Sequence, residues 1–581
     1  MIRPRSPLFR CATLATFATC VLLGCNERAV QRAAPTAEAG AGGACLSVVA
    51  WNDMHGTLDP DDAIIDTGRV AAGGVVAIAD QVASIRATGD TVVILDAGDL
   101  FTGPLESTLA EGAPIIDAYR VIGVDAAAVG NHEFDFGPAG YPRVVAAPGA
   151  DDTTGPDGPR GALFARMASA SFPFLAANIH YAKGGAPAWP HFAASTHIER
   201  SGWNVGVVGY TTRETPTTTL KPNVADLDFV QGAAESVAKE IRALRAAGSN
   251  PVVLLAHASI EGDLPQDLDD PIDPTGQNHK GEMAALLGAL GSDLPDLVVA
   301  GHRHAWLLGR VRNIPIVSSD QHGVGLSRTR FCRDAGGTPA FSSIERRVAM
   351  ASSPPASKLG EDVRAAIAPW QAKVKAEADA IVTTLTATCL AQGLNGTAFG
   401  EQVARAVREH VADAAAPPKG VPVVALVNSG GLRAPLLAGS LRFADLFGAF
   451  PFENAVAVCG TDREGLARVM ENAIKRPSAR ERFPFGLAGA HAHLLRAADG
   501  ALTLESVTID GDAPNAKPKD KRVWLAIPDF ILWGGDGLLE GVSCAPGVSS
   551  PTRVRDAWRA LLAREQGGCE GAPRDITITT P

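Results

Sequence analysis

The chain has 581 residues, enough for two large domains or about three to four of average size. Hydrophobic residues make up 46% and charged residues 20%, which excludes a wholly disordered protein. Because 63 acidic residues outnumber 52 basic ones, the net charge is −11. This argues against a nucleic-acid backbone as partner, but not against a small phosphorylated metabolite.

The N-terminus predicts an export signal over residues 1–25. Positive charges precede an apolar run, Cys11–Leu23, that is too short to cross a bilayer permanently. The run leads into Leu-Leu-Gly-Cys, which resembles a bacterial lipobox and predicts lipid attachment at Cys25. An ordinary secretory signal with a chance cysteine is the alternative. Residues 26–45 predict a flexible tether, and no later segment is long and apolar enough to span a membrane.

The cysteines beyond this signal agree with export. They are Cys45, Cys332, Cys389, Cys459, Cys544 and Cys569. An even number in an exported protein permits three disulfides, and the spacing alone does not choose among the possible pairings. Cys544 and Cys569 flank a helical stretch and are the most plausible local pair. No CxxC spacing occurs, so a thiolate zinc site is not indicated.

Short apolar segments alternate with helical ones in the first half of the chain. The predicted strands are Leu46–Trp51, Thr91–Leu95, Val205–Gly209, Val252–Ala256 and Leu297–Ala300, and the predicted helices include Ala72–Ala87 and Gly232–Ala247. This alternation predicts an α/β layered domain over residues 46–350. In such sheets the residues just beyond the carboxyl ends of the strands converge on the ligand site.

Two long loops interrupt the first half of the chain, and a connector leads from it to the second half. Gly137–Gly161 is rich in Gly, Pro and Asp, and Glu261–Gly281 is acidic but lacks the spacing of a calcium loop, so we interpret it as a solvated loop. Residues 351–381 predict a linker with one long helix over Lys358–Ile381. A second α/β domain follows over 382–581. Its predicted elements are the helices Gly400–His410 and Arg463–Ile474 and the strands Val423–Val427 and Val523–Ile527.

Polar side chains able to bind metal follow the strand-like segments of the first half. They come in five clusters, Asn52-Asp53-Met54-His55-Gly56, Asp96-Ala97-Gly98-Asp99, Gly130-Asn131-His132-Glu133-Phe134-Asp135, His257 and Gly301-His302-Arg303-His304. Each cluster alone is weak evidence, because single histidines and Gly-Asp turns are common in structural roles. Together they supply nitrogen and oxygen ligands without sulfur, which suits Zn²⁺, Mn²⁺ or Mg²⁺. Seven such ligands are too many for one ion and fit two ions that share a carboxylate.

The order of these motifs resembles the calcineurin-like metallophosphoesterases and, more narrowly, the 5′-nucleotidase family, which includes bacterial periplasmic UDP-sugar hydrolases. The resemblance covers roughly residues 46–581. It implies a four-layer α/β/β/α metallophosphoesterase sandwich followed by a smaller α/β substrate-binding domain. It also implies two divalent ions, Zn, Mn, Mg or Co.

The resemblance assigns roles residue by residue. The first metal would be bound by Asp53, His55 and His304, the second by Asn131, His257 and His302, and Asp99 would bridge them. His132, oriented by Asp135, would be the catalytic histidine that faces the phosphate rather than a ligand. A metal-bound hydroxide would be the nucleophile.

The second half carries three motifs similar to the family's substrate-binding motifs, which begin at Asn428, Pro451 and Asp529. By position, Phe452 and Phe530 would sandwich the nucleobase. Asn428 and Arg433 would hold the phosphate or sugar, Asn454 belongs to the same substrate-binding set, and Asp536 would accept hydrogen bonds from the ribose. One departure is clear: Asn395–Val403 lacks the Arg and the Glu that usually open this half.

These inferences predict an exported, lipid-anchored phosphohydrolase of the periplasm or cell envelope that removes phosphate from nucleotides. Its partner would be a small-molecule nucleotide, not a nucleic acid, and it would meet the membrane only through Cys25. The alternatives keep the metal centre but change the substrate to nucleotide sugars, 2′,3′-cyclic nucleotides or a sulfur compound. A surface lipoprotein that captures nucleotides without turnover is the non-enzymatic alternative.

Overall fold

The computed structural model describes residues 45–65, 68–141, 155–262, 266–271, 279–414, 420–480, 482–511, 522–546, 550, 552–565 and 575–580. The predicted signal, Cys25, the tether up to residue 44, and Cys569 lie outside these residues. Among the described helices, none combines the length and the apolar character needed to cross a bilayer.

The first strand, Leu46–Trp51, is buried along its whole length and alternates its side chains between two cores. Val48 and Ala50 lie in a core that two sheets share, whereas Val49 and Trp51 pack against helices. The two-residue period of a strand produces this division, and it requires apolar residues on both faces.

The first sheet has seven strands. In spatial order they are Pro339–Val348, Gly325–Arg333, Leu46–Trp51, Thr91–Asp96, Ala126–Ala128, Phe174–Leu175 and Phe192–Ala193. The second sheet also has seven, in the order Gln266–Pro271, Trp306–Val311, Ile314–Ser319, Leu297–Ala300, Val252–His257, Trp203–Thr211 and Ser195–Arg200. The central strands of both sheets run parallel.

The two sheets pack face to face, and helices cover their outer faces. The shared core contains Val93 and Leu95 of the first sheet together with Val207, Val253 and Leu255 of the second. Helices pack on the outer side of each sheet in separate cores. The first half is therefore the predicted α/β/β/α sandwich. Its helices are Gly74–Arg86, Leu105–Thr108, Ala113–Ile122, Gly161–Ser169, Thr215–Thr218, Ala233–Ala246 and Glu282–Ala289, with 3-10 turns at His132–Phe134 and Lys221–Asn223.

The first half also contains short two-stranded pairs outside the two large sheets. They are Asp61–Ile65 with Gly68–Ala72, His180–Tyr181 with Leu227–Asp228, and Glu261–Gly262 with His279–Lys280. The prediction of a plain loop for the acidic segment is wrong in part, because Gln266–Pro271 pairs with Trp306–Val311 as an edge strand of the second sheet.

The second half is built on a five-stranded sheet, in the order Phe485–Ala488, Val423–Asn428, Arg522–Pro528, Val456–Asp462 and Ala545–Pro546. The helices Ala398–Ala414, Phe443–Ala449 and Val554–Arg564 contribute to the core on one face. On the other face lie the helix Arg463–Ile474 and a three-stranded sheet of Leu502–Ile509, Ala490–Arg496 and Ile576–Thr579. The remaining elements are the strands Ile381–Leu385 and Gly439–Arg442, the helix Asp529–Leu532 and 3-10 turns at Ser429–Gly431, Pro477–Arg480 and Gly535–Gly537.

The predicted linker helix spans Lys358–Ala378 and belongs to both halves. Val363 and Ile367 are buried in the core of the first half, and Ala378 is buried in the core of the second. Its Ser357 cap accepts a hydrogen bond from Gly360 N and donates to Asp80 of the first helix. The start of the connector is therefore anchored on the sandwich.

The disulfides differ from the local pairing predicted for Cys544. Cys544 pairs with Cys459, and Cys45 pairs with Cys332; Cys389 is also disulfide-bonded. The physical reason is strand adjacency, because Ala545–Pro546 lies beside the strand that carries Cys459. The predicted Cys544–Cys569 pair is wrong.

Candidate metal and substrate site

Five loops at one edge of the sandwich bring the predicted metal ligands together. Asp53, Asp99 and His257 follow or end central parallel strands of the two sheets. His302 and His304 follow Leu297–Ala300. Because these strands point the same way, their carboxyl ends meet and the side chains converge. Asp53, Asp99 and His257 are at most 1% exposed.

The backbone at this edge adopts conformations that favour glycine. Asp53, His55, Asp99, His302 and His304 all have positive φ, between 46° and 76°. Such residues cost on the order of 1–3 kcal/mol each and persist only where the surroundings impose them. Backbone hydrogen bonds do so here, since Asp53 N donates to Gly98 O (3.0 Å) and His55 N donates to Asp99 O (2.9 Å).

One group of ligand atoms comes from Asp53, His55, Asp99 and His304, and they lie within 4.8 Å of one another. The Nε2 atoms of His55 and His304 are 2.9 Å apart. His55 Nδ1 lies 3.2 Å from Thr102 O, so its proton belongs on that nitrogen and Nε2 keeps its lone pair for a metal.

A second group comes from Asp99, His257 and His302, also within 4.8 Å. His257 Nδ1 lies 2.9 Å from Ala97 O, which again leaves Nε2 as the ligand atom. That Nε2 lies 3.0 Å from Asp99 Oδ2 and 3.2 Å from Asn131 Oδ1. All seven predicted ligands are therefore brought to one place, and Asp99 is common to both groups.

The chemistry of this donor set fits two divalent ions. Asp99 Oδ2 is buried and accepts no well-aligned hydrogen bond from a described residue. Burial raises the pKa of Asp53 to about 6, and the same burial lowers the pKa of His55 and of His304 well below the usual value. Clustered carboxylates in a dry site are costly unless cations neutralise them, and the neutral imidazoles of His55 and His304 offer lone pairs to such cations. Nitrogen and oxygen donors without sulfur suit borderline-to-hard metals.

His132 lies beside these two groups of ligand atoms, and its ring contacts the carboxylate of Asp135. Its Nδ1 lies 2.6 Å from Asp135 Oδ2, and Asp135 Oδ1 accepts a hydrogen bond of 2.8 Å from Thr219. His132 N donates to Asp99 Oδ1 (2.9 Å). Burial alone would lower the pKa of His132, but the charges of Asp135 and Asp99 outweigh it and raise the pKa. The Nε2 atom of His132 lies 4.0 Å from Asp99 Oδ2, so this edge of the ring faces the candidate metal ligands.

Two side chains of the second half reach this edge. Arg433 Nη2 lies 3.2 Å from His55 Nε2 and 3.4 Å from His304 Nε2. The Phe452 ring is 5.8 Å from the His132 ring, and the Arg433 guanidinium lies 5.8 Å from the Phe452 ring centroid. Arg433 and Phe452 therefore face the two metal groups and His132 from the opposite side.

The other predicted substrate residues contact protein side chains. Asn428 Nδ2 donates to Asp536 Oδ2 (2.8 Å), and Asp536 also pairs with Arg476. Asn454 Nδ2 donates to Asp529 Oδ1 (3.3 Å). Phe530 is half-buried against Gly535, where an added Cβ would lie 2.5 Å from its ring.

Comparison with known proteins identifies chains that are similar to this one. Residues 374–541 match the family model described as the 5′-nucleotidase, C-terminal domain. The 5′-nucleotidase of Bos taurus is 23% identical over 517 residues, which cover 85% of this chain and 83% of that protein. Residues 374–541 therefore belong to the 5′-nucleotidase C-terminal domain family, and the chain as a whole is similar to 5′-nucleotidases.

Other relatives in or near this family differ in length. A crystal structure of a 5′-nucleotidase precursor from Thermus thermophilus has the same fold, with a TM-score of 0.72 at 19% identity over 92% of this chain and 99% of that one. The cell wall protein Lmo0130 of Listeria monocytogenes is 29% identical over 306 residues, 50% of this chain and 37% of that protein. The chain aligns with about a third of the length of the first three curated relatives, 37%, 31% and 34%.

Sequence reasoning missed Glu133, a fully buried carboxylate on the same loop as Asn131 and His132. Its two oxygens accept hydrogen bonds from the amides of Asp99 (2.9 Å), Leu100 (2.7 Å) and Gly130 (2.6 Å). Burial raises the pKa of Glu133 to about 7. Its place inside the Asn-His-Glu-Phe-Asp motif was the one available signal.

Arg482 was also missed. Phe483 N donates to Gly393 O (2.8 Å) and Ser429 N donates to Pro484 O (2.9 Å), so Arg482 lies where two substrate-side segments meet. Burial and then repulsion from Arg482 lower the pKa of Arg433. Arg482 is thus close enough to add positive charge beside the segment that lacks the family's usual arginine. No local motif marks it in the sequence.

Proposed function

We propose that the chain is an exported two-metal phosphohydrolase that removes phosphate from nucleotides. The observation that carries this proposal is the pair of ligand groups sharing Asp99, with His132 and the second-half side chains Arg433 and Phe452 facing them. We assign the metal domain to residues 46–350, the linker to 351–381 and the substrate domain to 382–581.

Seven side chains would hold the ions: Asp53, His55 and His304 for one, Asn131, His257 and His302 for the other, and Asp99 between them. Two bound divalent ions supply activation of a water nucleophile and neutralisation of charge on the phosphoryl group. Zn, Mn, Mg and Co all suit the donor set.

His132 would supply the proton. In hydrolysis of a phosphate monoester, a water oxygen bonds to phosphorus, and the bond from phosphorus to the nucleoside oxygen breaks. That leaving oxygen needs a proton, and His132 would provide it from Nε2 while Asp135 holds Nδ1–H. Asp135 fixes the orientation of the ring and stabilises its cationic form.

The second half would select the substrate. Arg433 presents a guanidinium toward the metal groups, where it would neutralise phosphate oxygens. Phe452 and Phe530 would stack on the base, which is worth about 1–3 kcal/mol per base and tolerates different bases. Hydrogen bonds or ion pairs join Asn428, Asn454 and Asp536 to neighbouring side chains. Hydroxyl groups of a bound sugar would replace these side-chain partners.

Two observations support export. The structure contains disulfides, which persist in oxidising compartments, and a listerial relative is named as a cell wall protein. Lipid attachment at Cys25 and a periplasmic location are part of the proposal. Mass spectrometry of the envelope fraction, with and without Cys25→Ser, would detect the lipid.

The test is phosphate release by the purified protein with each metal, using 5′-AMP, UDP-glucose, 2′,3′-cyclic AMP and bis-p-nitrophenyl phosphate. EDTA should abolish turnover. His132→Ala should lower turnover of 5′-AMP by about 10²–10⁴-fold, and that of an aryl ester by less, because aryl leaving groups need a proton less.

The panel separates the alternatives. Metal-dependent release from 5′-AMP supports the nucleotidase. Turnover of the aryl diester alone would keep the metal centre and discard the base-stacking role of Phe452 and Phe530. Bound metal without turnover of any substrate would favour the nucleotide-capturing lipoprotein.

A further inference from the structure

A tight turn brings together the histidine and the carboxylate proposed for proton transfer. His132–Phe134 forms a 3-10 turn, and Asp135 N donates to His132 O (3.2 Å). In such a turn the side chains of residues i and i+3 are eclipsed, so the Asp135 carboxylate lies beside the His132 ring. One carboxylate oxygen, Oδ2, lies 2.6 Å from His132 Nδ1. The second oxygen, Oδ1, remains for a partner from another part of the chain.

Thr219 is that partner. Its hydroxyl donates to Asp135 Oδ1 (2.8 Å) across 84 residues of sequence. Thr219 is 2% exposed and the Asp135 side chain 11%, so bulk water has little access to this hydrogen bond. Because threonine is branched at Cβ, its χ1 angle is restricted, which limits the directions that its hydroxyl can take. With one oxygen at His132 and the other at Thr219, the plane of the Asp135 carboxylate is fixed.

The backbone that carries Thr219 is held by other hydrogen bonds. Thr219 N donates to Thr215 O (3.1 Å) and closes the helix Thr215–Thr218. Beyond it, Asn223 is fully buried, and its side chain donates to Phe134 O (2.8 Å) of the 3-10 turn. These bonds do not involve the Thr219 hydroxyl. Removal of the hydroxyl alone should therefore leave this segment in place.

The same segment also meets the second half of the chain. The helix Thr215–Thr218 contacts the turn Gly535–Gly537, which includes Asp536 of the proposed ribose site. A residue in this segment could therefore act on the proton donor or on substrate binding. The two roles predict different kinetic effects, since the first changes kcat and the second changes KM.

We infer that Thr219 is a positioning residue for the proton donor. Its hydroxyl orients the Asp135 carboxylate, which in turn orients the His132 ring toward the leaving oxygen. This inference rests on the proposed function and deepens it, because it concerns the proton that the leaving oxygen needs. The Thr219 hydroxyl is buried against Asp135, so its loss should slow the step that needs the proton without changing substrate affinity.

The first arm of the test needs no catalysis. In protein with isotope-labelled histidine, the Nδ1–H signal of His132 is the NMR signal that His132→Ala removes. Thr219→Val leaves Asp135 Oδ1 without its donor, so exchange of this proton with water should speed up about tenfold. Thr219→Ser keeps the hydroxyl and should stay within about threefold of the parent protein. An unchanged exchange rate in Thr219→Val would overturn the inference.

Thr217→Val is the matched control for Thr219→Val. Thr217 lies on the helix Thr215–Thr218, and its hydroxyl donates to Glu214 O (2.8 Å) at the surface. It should change the exchange rate and the kinetic constants by less than about twofold. Equal effects of the two valine variants would mean that the helix, and not the Thr219 hydroxyl, controls His132, and would also overturn the inference.

The second arm measures kcat and KM. Thr219→Val should lower kcat for 5′-AMP by about tenfold, because the proton donor is less well oriented. Its KM, and its kcat for p-nitrophenyl phosphate, should stay within about twofold, since an aryl leaving group needs a proton less. Thr219→Ser should restore most of kcat for 5′-AMP.

Two outcomes of the kinetic arm would contradict the positioning role. A rise in KM alone would assign Thr219 to substrate binding through the contact with Gly535–Gly537. An equal loss of kcat on both esters would assign it a general structural role. If the parent protein turns over neither ester, the proposed function fails, and the exchange arm still decides whether Thr219 holds the Asp135–His132 pair.

Discussion

The proposed metal ligands and the proposed substrate-facing side chains are held in different ways. Asp53, Asp99 and His257 are buried at strand ends. Neighbouring residues accept hydrogen bonds from the backbone amides of Asp53 and Asp99, and the His257 ring lies within hydrogen-bond distance of Ala97 O. Phe452 is half-buried on the segment between the helix Phe443–Ala449 and the strand Val456–Asp462, and Phe530 is half-buried in the short helix Asp529–Leu532. The first set is organised before any substrate arrives, whereas the second set depends on where one half lies against the other.

Because of this difference, substitutions in the two regions should affect activity differently. A substitution of a residue that supports the proposed metal ligands should lower activity on every substrate, because it weakens binding of the ions that all substrates would use. A change among the substrate-facing residues should alter only how nucleosides are distinguished from smaller phosphate esters. Each prediction below tests one side of this contrast.

The largest effect is expected for Glu133→Gln. The two carboxylate oxygens accept hydrogen bonds from the backbone amides of Asp99, Leu100 and Gly130. Glutamine replaces one of these oxygens with an NH₂ group, which cannot accept a hydrogen bond from an amide. Metal affinity should fall by about 10–100-fold, a range typical of residues that support metal ligands. Metal titration followed by elemental analysis measures this.

The control for that experiment is Glu235→Gln, since the Glu235 side chain is 75% exposed and pairs only with Arg242 at the surface. Activity of Glu133→Gln at limiting metal should fall alike for 5′-AMP and for p-nitrophenyl phosphate. A loss confined to 5′-AMP would contradict the division between the two halves.

A smaller and selective effect is expected for Phe452→Leu. The ring faces His132 and the Arg433 guanidinium, and stacking of a base on it is worth about 1–3 kcal/mol. KM for nucleotides should rise by about 5–150-fold, while KM for p-nitrophenyl phosphate should not change. Phe192→Leu, at the edge of the first sheet, is the control. An equal rise for both esters would exclude base stacking.

The same contrast explains what the sequence could predict. The strand ends before Asp53 and Asp99 and at His257 can be recognised in the sequence as short apolar runs followed by turn residues. The order of the ligands and the layered fold can be predicted from these runs. These side chains sit near strand ends that any parallel sheet brings together.

Contacts between distant segments were not predictable. Glu133 matters because its carboxylate accepts hydrogen bonds from the amides of Asp99 and Leu100, and its place in the Asn-His-Glu-Phe-Asp motif does not reveal these distant partners. Cys544 pairs with Cys459 because their strands are neighbours in the sheet, which spacing along the chain does not reveal.

The smallest effect concerns stability rather than the site, and it tests how firmly the first half is held. Burial alone would raise the pKa of Asp90, but hydrogen bonds from Arg330, Ser47 and Arg328 outweigh it and lower the pKa from 3.8 to about 2. Because the folded chain binds this proton more weakly than the unfolded chain does, the stabilisation is complete above about pH 5 and disappears as the pH falls toward 2. Asp90→Asn should therefore lower the melting temperature by about 2–4 °C at pH 7. The gap to the parent protein should close progressively below pH 4. Arg330→Gln should show the same pH dependence, whereas a gap that is constant from pH 7 to pH 2.5 would mean that the Asp90 charge contributes nothing to the stability of the sandwich.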